Sequence, residues 1–367
     1  MTAEFSVMLA AGGTGGHLFP AFALAEELGR RGIAIDLITD MRGDRYGSGF
    51  PARNVYQVPA ATLAGRSPAA VAQTVLALAR GTKAAHAILG KVKPAVVLGF
   101  GGYPTYPPLV AARLRGIPTA VHEQNAVLGR ANKMLAKQVT AIATSFDKVK
   151  YLEGALAAKA TLTGNPVRQA VIAAAAQPYE PPAAEGKLRI LVFGGSQGAR
   201  YFTDAVPPAL AALPAHMRAR LEVVQQAREE DLERARAAYT KAGIAAEVAP
   251  FFKDLPARMA NAHLVIGRAG ASTVAELTVI GRPGLLVPLP HALDNDQLNN
   301  ARRLAESGGG WCIEQKDLTP ERLSAEIARL LDAPHVLAEA AAAAKKAGRA
   351  DAVVRLADFV LRLAGKA

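Results

Sequence analysis

The feature that most constrains this chain is a short pattern that occurs twice. LAAGGTGGH, ending at His17, and LVFGGSQGA, ending at Ala199, superimpose at an offset of 182 positions, pairing Gly12 with Gly194, Gly13 with Gly195 and Gly16 with Gly198. An apolar run, a glycine turn and a helical pattern, given twice, predict two halves of one design. Each half continues in kind. Apolar runs at Ser6 to Ala10, Ile33 to Thr39, Ala95 to Leu98, Thr119 to His122 and Thr140 to Thr144 alternate with helical stretches such as Pro20 to Arg31 and Pro68 to Leu89. The second half has runs at Arg189 to Phe193, Glu222 to Gln225, Leu264 to Ile266 and Leu285 to Val287. This alternation is the signature of parallel sheets covered by helices on both faces.

Two doubly wound, Rossmann-like α/β domains facing a cleft are therefore expected, in keeping with a length of 367 residues at roughly 150 residues per domain. The predicted domains are residues 1–168 and 169–350, with the last helical stretch, 351–367, crossing back to complete the first. Gln177 to Gly186 (QPYEPPAAEG) has three prolines and no periodicity, and reads as a linker.

Composition removes several function classes. With 51 % hydrophobic residues the chain buries real cores and is not disordered. One cysteine, Cys312, excludes an internal disulfide and a thiolate metal cage, and points to a reducing compartment. Glu4 and the short run Phe5 to Ala11 read as a first strand and not as a signal peptide. No apolar stretch is long enough to span a bilayer. The net charge of +12 is unevenly placed: residues 1–168 hold 19 basic and 9 acidic side chains, and the remainder 24 and 22.

In open parallel sheets, ligands bind beyond the carboxyl ends of the strands. Glycine clusters fall at four such ends: Gly12 to Gly16, Gly99 to Gly102, Gly194 to Gly198 and Gly267 to Gly270. Glycine permits close backbone approach, and a following helix N-terminus offers free N–H groups and a positive dipole end, so a phosphorylated ligand is expected. Neither GGTGGH nor GGSQGA fits the dinucleotide fingerprint, and no P-loop motif occurs. His122-Glu123 lacks the second histidine of a zinc protease, since the position four after His122 is Ala126. Asp294-Asn295-Asp296 reads as helix capping ahead of Gln297 rather than as a metal site. His17, at the end of the first glycine loop, suits a general base. Glu276 lies within the helix after the fourth cluster, where a carboxylate could accept two hydroxyl hydrogen bonds.

Taken together and in order, GGTGGHLFPAFALAEEL, VVLGFGGYPTYPPLVAA, HEQNAVLGRANK, TGNPVR, GGSQGAR, RAGASTVAEL and DNDQLNNA resemble the lipid-linked N-acetylglucosaminyltransferases of peptidoglycan synthesis, the MurG family, from Ser6 to about Ala301. The resemblance implies a GT-B glycosyltransferase that moves N-acetylglucosamine from UDP-N-acetylglucosamine to the C4 hydroxyl of polyprenyl-pyrophosphate-linked muramyl-pentapeptide, inverting the anomeric carbon. It implies no metal and no cofactor. Carried over by motif, the uracil lies beside Phe252 and the ribose on Glu276. The phosphates lie on Ser196 and on the helix start Ala271, Ser272 and Thr273. Arg168 is near the nucleotide, Gln297 on the sugar, and Thr14, Gly15, Gly16 and Asn125 reach the donor from the first domain. His17 is the expected base, with Glu123 as the alternative.

A membrane-embedded acceptor gives the basic first half a role, because each Lys or Arg near an anionic bilayer contributes about 1 kcal/mol. The expected membrane-facing residues are Arg66, Val75, Arg80, Lys83, Arg113, Arg115, Lys133 and Lys137, and the expected location is the cytoplasmic face of the cell membrane, peripherally attached. Two other readings compete. A UDP-N-acetylglucosamine 2-epimerase resembles this architecture but needs no membrane acceptor. A basic nucleic-acid-binding protein would need aromatic platforms, and only 5 % of residues are aromatic.

Overall fold

The computed structural model describes residues 5–12, 15–40, 49–60, 67–195 and 200–366. The chain divides into two compact units, Met1–Arg168 with Ala350–Ala367, and Gln169–Arg349.

The first unit is a seven-stranded parallel sheet. Its strands are β1 (Ser6–Ala10), β2 (Ala34–Thr39), β3 (Asn54–Gln57), β4 (Val96–Gly99), β5 (Thr119–Glu123), β6 (Ala141–Thr144) and β7 (Ala160–Leu162), in the order β3-β2-β1-β4-β5-β6-β7. β1 is buried along its whole length and pairs Leu9 with Leu37 on one side and Leu98 on the other. That explains its unbroken apolar run: a central parallel strand has helices on both faces and no polar side to display. One face packs against the helix Gly15–Arg30 and the final helix Ala352–Leu363, whose Leu356, Phe359 and Val360 join Leu24 and Leu28 in one core. Arg31 ties the two helices by donating to Asp358 (2.6 Å).

The second unit repeats the plan with β8 (Leu188–Phe193), β9 (Leu221–Gln226), β10 (Ala245–Ala249), β11 (Leu264–Gly267), β12 (Gly284–Leu286) and β13 (Gly310–Cys312), all parallel, in the order β10-β9-β8-β11-β12-β13. In both sheets the strand order reverses beside the first strand, between β1 and β4 and between β8 and β11. The four glycine clusters lie after those four strands, where such folds leave a crevice.

Gln177 to Gly186 is not a loose tether. The side chain of Arg282, 1 % exposed, donates to the carbonyls of Gln177 and Pro178 (3.1 Å each) and to Ala260, while Tyr179 donates its hydroxyl to the carbonyl of His263. The proline-rich stretch is clamped onto the second unit because a buried guanidinium needs acceptors for its five donors, and the Gln177 and Pro178 carbonyls supply two of them.

Candidate functional site

In the first unit, the carboxyl ends of β1, β4 and β5 carry a buried polar network. After β4 the chain turns at Gly101 and Gly102 with φ of +86° and +73°, a conformation open to glycine and costly for other residues. The ring of His17, in the first turn of the helix Gly15–Arg30, lies over this turn. A Cβ on Gly101 would be 3.4 Å from His17 Cε1, 3.5 Å from Asn132 Nδ2 and 3.6 Å from Gln124 Oε1. His17 Nδ1 is buried without a hydrogen-bond partner. Burial lowers the His17 pKa from its ordinary value, which favours the neutral ring, opposed by hydrogen bonding to Gln124 and the Phe100 carbonyl.

The HEQN segment holds this turn in place. Gln124 Nε2 donates to the Phe100 carbonyl (2.9 Å) and approaches His122 Nδ1 (3.1 Å), while His122 Nε2 lies 3.0 Å from the carbonyl of Gly164. Both contacts are satisfied only if Nδ1 accepts and Nε2 carries the proton, which is the neutral ring. Burial accordingly lowers the His122 pKa to about 4. Glu123, 1 % exposed, accepts from the N–H groups of Asn125 (2.9 Å) and Gly129 (2.9 Å) and from the amides of Asn125 (3.3 Å) and Asn132 (2.8 Å). Four donors match the four lone-pair sites of a carboxylate. Burial raises its pKa while those donors lower it. Glu123 is thus an anchor for residues 125–132, and His17 alone of the two has an unengaged basic atom. Asn132, which the sequence reading did not single out, completes the cluster.

In the second unit, the helix Ala271–Ile280 follows β11 with Gly270 as its N-cap and no capping side chain. Ala271 and Ser272 are half-buried, and Thr273 and Glu276 are buried. Gln297 Oε1 accepts from the backbone N–H of Ala269 (3.3 Å) and Leu289 (3.0 Å), and Asn300 donates to the Ala269 carbonyl (3.0 Å). The oxygen of Gln297 thus splices two loops together. Asp294 and Asn295 have φ of +59° and +53°. No side chain caps the helix Asp296–Glu306 from Asn295; instead Asp296 accepts from the N–H of Gln297 (2.7 Å), so the expected capping takes a more local form. Phe252 is buried beneath the Arg258 guanidinium, 4.3 Å from its ring centroid, whereas the neighbouring Phe251 is 68 % exposed. The open aromatic face here is Phe251, a residue the motif comparison passed over.

The remaining expectations divide as follows. Arg168 lies over the ring of Phe19 in the first unit (5.5 Å). Asn125 is committed to Glu123, and Gly15 and Gly16 open the helix that carries His17. Thr14, Ser196 and Arg66 lie outside the described residues. On the helix Pro68–Val92, Val75 (59 %) and Leu76 (50 %) are exposed, as are Arg80 and Lys83, while Thr74, Gly81 and Ala85 form its buried face. Lys137 is also exposed, and Arg113 reaches the Gln138 carbonyl. Arg115 is tied into the fold through the His86 carbonyl (2.7 Å), and Lys133 sits over the Tyr151 ring (3.6 Å). No helix among the described residues is long and apolar enough to cross a membrane.

Comparison with known proteins accords with this arrangement. Residues 7–144 match the glycosyltransferase family 28 N-terminal domain, and residues 189–356 match its C-terminal domain. The UDP-N-acetylglucosamine–N-acetylmuramyl-(pentapeptide) pyrophosphoryl-undecaprenol N-acetylglucosamine transferase of Rhodopseudomonas palustris is 56 % identical over 359 residues, covering 98 % of this chain and 96 % of that protein. The crystal structure of Acinetobacter baumannii MurG superimposes with a TM-score of 0.81 at 29 % identity, covering 98 % of this chain and 99 % of that one. A UDP-GlcNAc 2-epimerase from Neisseria meningitidis, solved with UDP-GlcNAc, shares the fold (TM-score 0.67, covering 98 % of this chain and all of that one) at only 12 % identity. The chain belongs to the MurG family of N-acetylglucosaminyltransferases, within glycosyltransferase family 28.

Proposed function

We propose that this protein transfers N-acetylglucosamine from UDP-N-acetylglucosamine to the C4 hydroxyl of a polyprenyl-pyrophosphate-linked muramyl-pentapeptide, with inversion, in the making of peptidoglycan precursor. The observation that carries the chemistry is the buried Nδ1 of His17, which has no hydrogen-bond partner and lies at the sheet end of a chain from this family, on a ring whose burial favours the neutral form. A neutral imidazole takes the acceptor's proton as the hydroxyl attacks the anomeric carbon. The departing diphosphate gains negative charge, and the uncapped start of the helix Ala271–Ile280 supplies N–H donors and a positive dipole end to meet it. Glu276 holds the ribose, and Gln297 meets the sugar through its amide nitrogen. Incubation with UDP-N-acetylglucosamine and the lipid-linked acceptor should release UDP, and omission of the acceptor should abolish release. An epimerised sugar formed from the donor alone would overturn the reading in favour of the epimerase.

The acceptor's tail keeps it in the bilayer, so the enzyme works as a peripheral protein on the cytoplasmic face of the cell membrane. Val75, Leu76, Arg80 and Lys83 support this reading: two apolar and two cationic side chains project from one helix opposite its buried face. Replacing Arg80 and Lys83 by Glu should weaken binding to anionic vesicles and leave turnover of a short soluble acceptor intact; unchanged vesicle binding would remove this helix from the membrane contact.

A further inference from the structure

The second unit buries an arginine behind its glycine turns without a carboxylate to balance it. Arg268 is 7 % exposed. One terminal nitrogen donates to the carbonyls of Val287 (3.0 Å) and Pro288 (3.1 Å), and the other to Gln315 Oε1 (2.7 Å). Its Nε is buried with no hydrogen-bond partner. All of these acceptors are neutral, and no ion pair to Arg268 occurs among the described residues. Burial lowers its pKa, yet a guanidinium stays charged at physiological pH. An uncompensated buried cation costs stability, and a fold concerned only with packing has no use for it here.

Its position suggests the use. Arg268 is the first residue after β11, three before the helix Ala271–Ile280 begins. The guanidinium carbon lies 5.4 Å from the ring centroid of Tyr201 and 5.2 Å from that of Phe202, in the first turn of the helix Arg200–Ala211, which follows the glycine cluster after β8. The buried charge therefore sits by the N-terminal ends of both helices that follow glycine turns in this unit. Each such end carries about half a positive charge, and the low-dielectric surroundings screen the arginine weakly.

We propose that Arg268 is a positioning residue for the donor's diphosphate. Its charge reinforces the field of the two helix ends, and its bonds to Val287 and Pro288 hold the loop that brings the Leu289 N–H to Gln297. This rests on the reading that the second unit holds a nucleoside-diphosphate donor. The diphosphate supplies the missing counter-charge, so the cost of burying Arg268 is offset only when donor is bound.

Titration of the full chain with uridine and with UDP tests the inference separately from that reading. The wild type should bind UDP at least about tenfold more tightly than uridine, and Arg268→Gln should lose about tenfold of that preference (~1.4 kcal/mol) with uridine affinity unchanged. Arg268→Lys, which keeps the charge, should retain most of the preference. A purely structural role would lower both affinities together. An unaltered UDP-to-uridine ratio in Arg268→Gln overturns the inference and leaves the donor assignment standing. Should the Gln variant fail to fold, loss of the preference in a folded Arg268→Lys overturns the electrostatic role. A wild type that binds neither ligand overturns the donor assignment, and the inference with it.

Discussion

The two sheets share a topology and a strand–glycine–helix opening, yet their carboxyl ends are chemically opposite. The first unit gathers titratable and amide side chains, His17, His122, Glu123, Gln124 and Asn132, into a buried cluster where burial lowers the pKa of both imidazoles. The second unit relies on backbone: an uncapped helix start, loop N–H groups held by Gln297, and one buried cation. One scaffold used twice yields a buried cluster of titratable and amide side chains at one end and an uncapped helix start beside a buried cation at the other, and the difference lies in side chains at the strand ends and not in the fold.

That contrast can be broken at several points. The largest effect should come from His17→Ala, which should lower kcat by about 10²- to 10⁴-fold, the usual worth of a general base, with the KM for donor nearly unchanged; a drop under tenfold would deny the first end its proton role. Acid should come next. His122 has a pKa of about 4 in the folded protein against 6.5 unfolded, so below pH 6.5 the unfolded chain takes up a proton that the folded one refuses. Stability should decline as the pH falls from about 6.5 to about 4, by up to ~3 kcal/mol from this residue. His263 in the second unit, lowered to about 4 by burial and then by Arg189 and Arg282, adds in the same direction. Thermal melts across that range, with and without His122→Gln, should show the slope become shallower in the variant.

Glu123→Gln should cost about 2 kcal/mol, because one acceptor oxygen becomes a donor facing donors. The acidic limb of its kcat/KM profile should remain that of the wild type, below pH 6.5, since a lowered His17 pKa sets it; a displaced limb would transfer the base role to Glu123. The smallest effect should be that of Glu276→Ala, a rise of about tenfold in donor KM with kcat little altered, as for a contact made before and during transfer. Steady-state kinetics with varied UDP-N-acetylglucosamine checks it, and an unchanged KM would leave Glu276 as a helix residue only.

How much of this was legible beforehand depended on burial. Every central strand announced itself as an apolar run, whereas the four strands that went unread, β3, β7, β10 and β13, are the four sheet edges. Their sequences, NVYQ, ATL, AAEVA and GWC, are short and mostly exposed or half-buried, so neither alternation nor a continuous apolar run develops. The linker reading missed Arg282, because nothing local in QPYEPPAAEG reveals a guanidinium arriving from a hundred residues away. At the site, glycine turns marked the strand ends and His17 followed from its place after the first. The motif HEQN was recognisable, but that Glu123 spends its oxygens on residues 125–132 depends on how that loop folds back. Asn132 and Arg268 were invisible for the same reason: their partners are set by tertiary packing.

The division of labour between the two ends is most directly tested by hydrogen exchange with and without UDP. The account predicts slowed exchange at the backbone amides of Ala269–Thr273 and Leu289, with little change across His17–Leu24 and Gly101–Thr105. Protection confined to His17–Leu24 and Gly101–Thr105 would place the nucleotide on the first unit and contradict it.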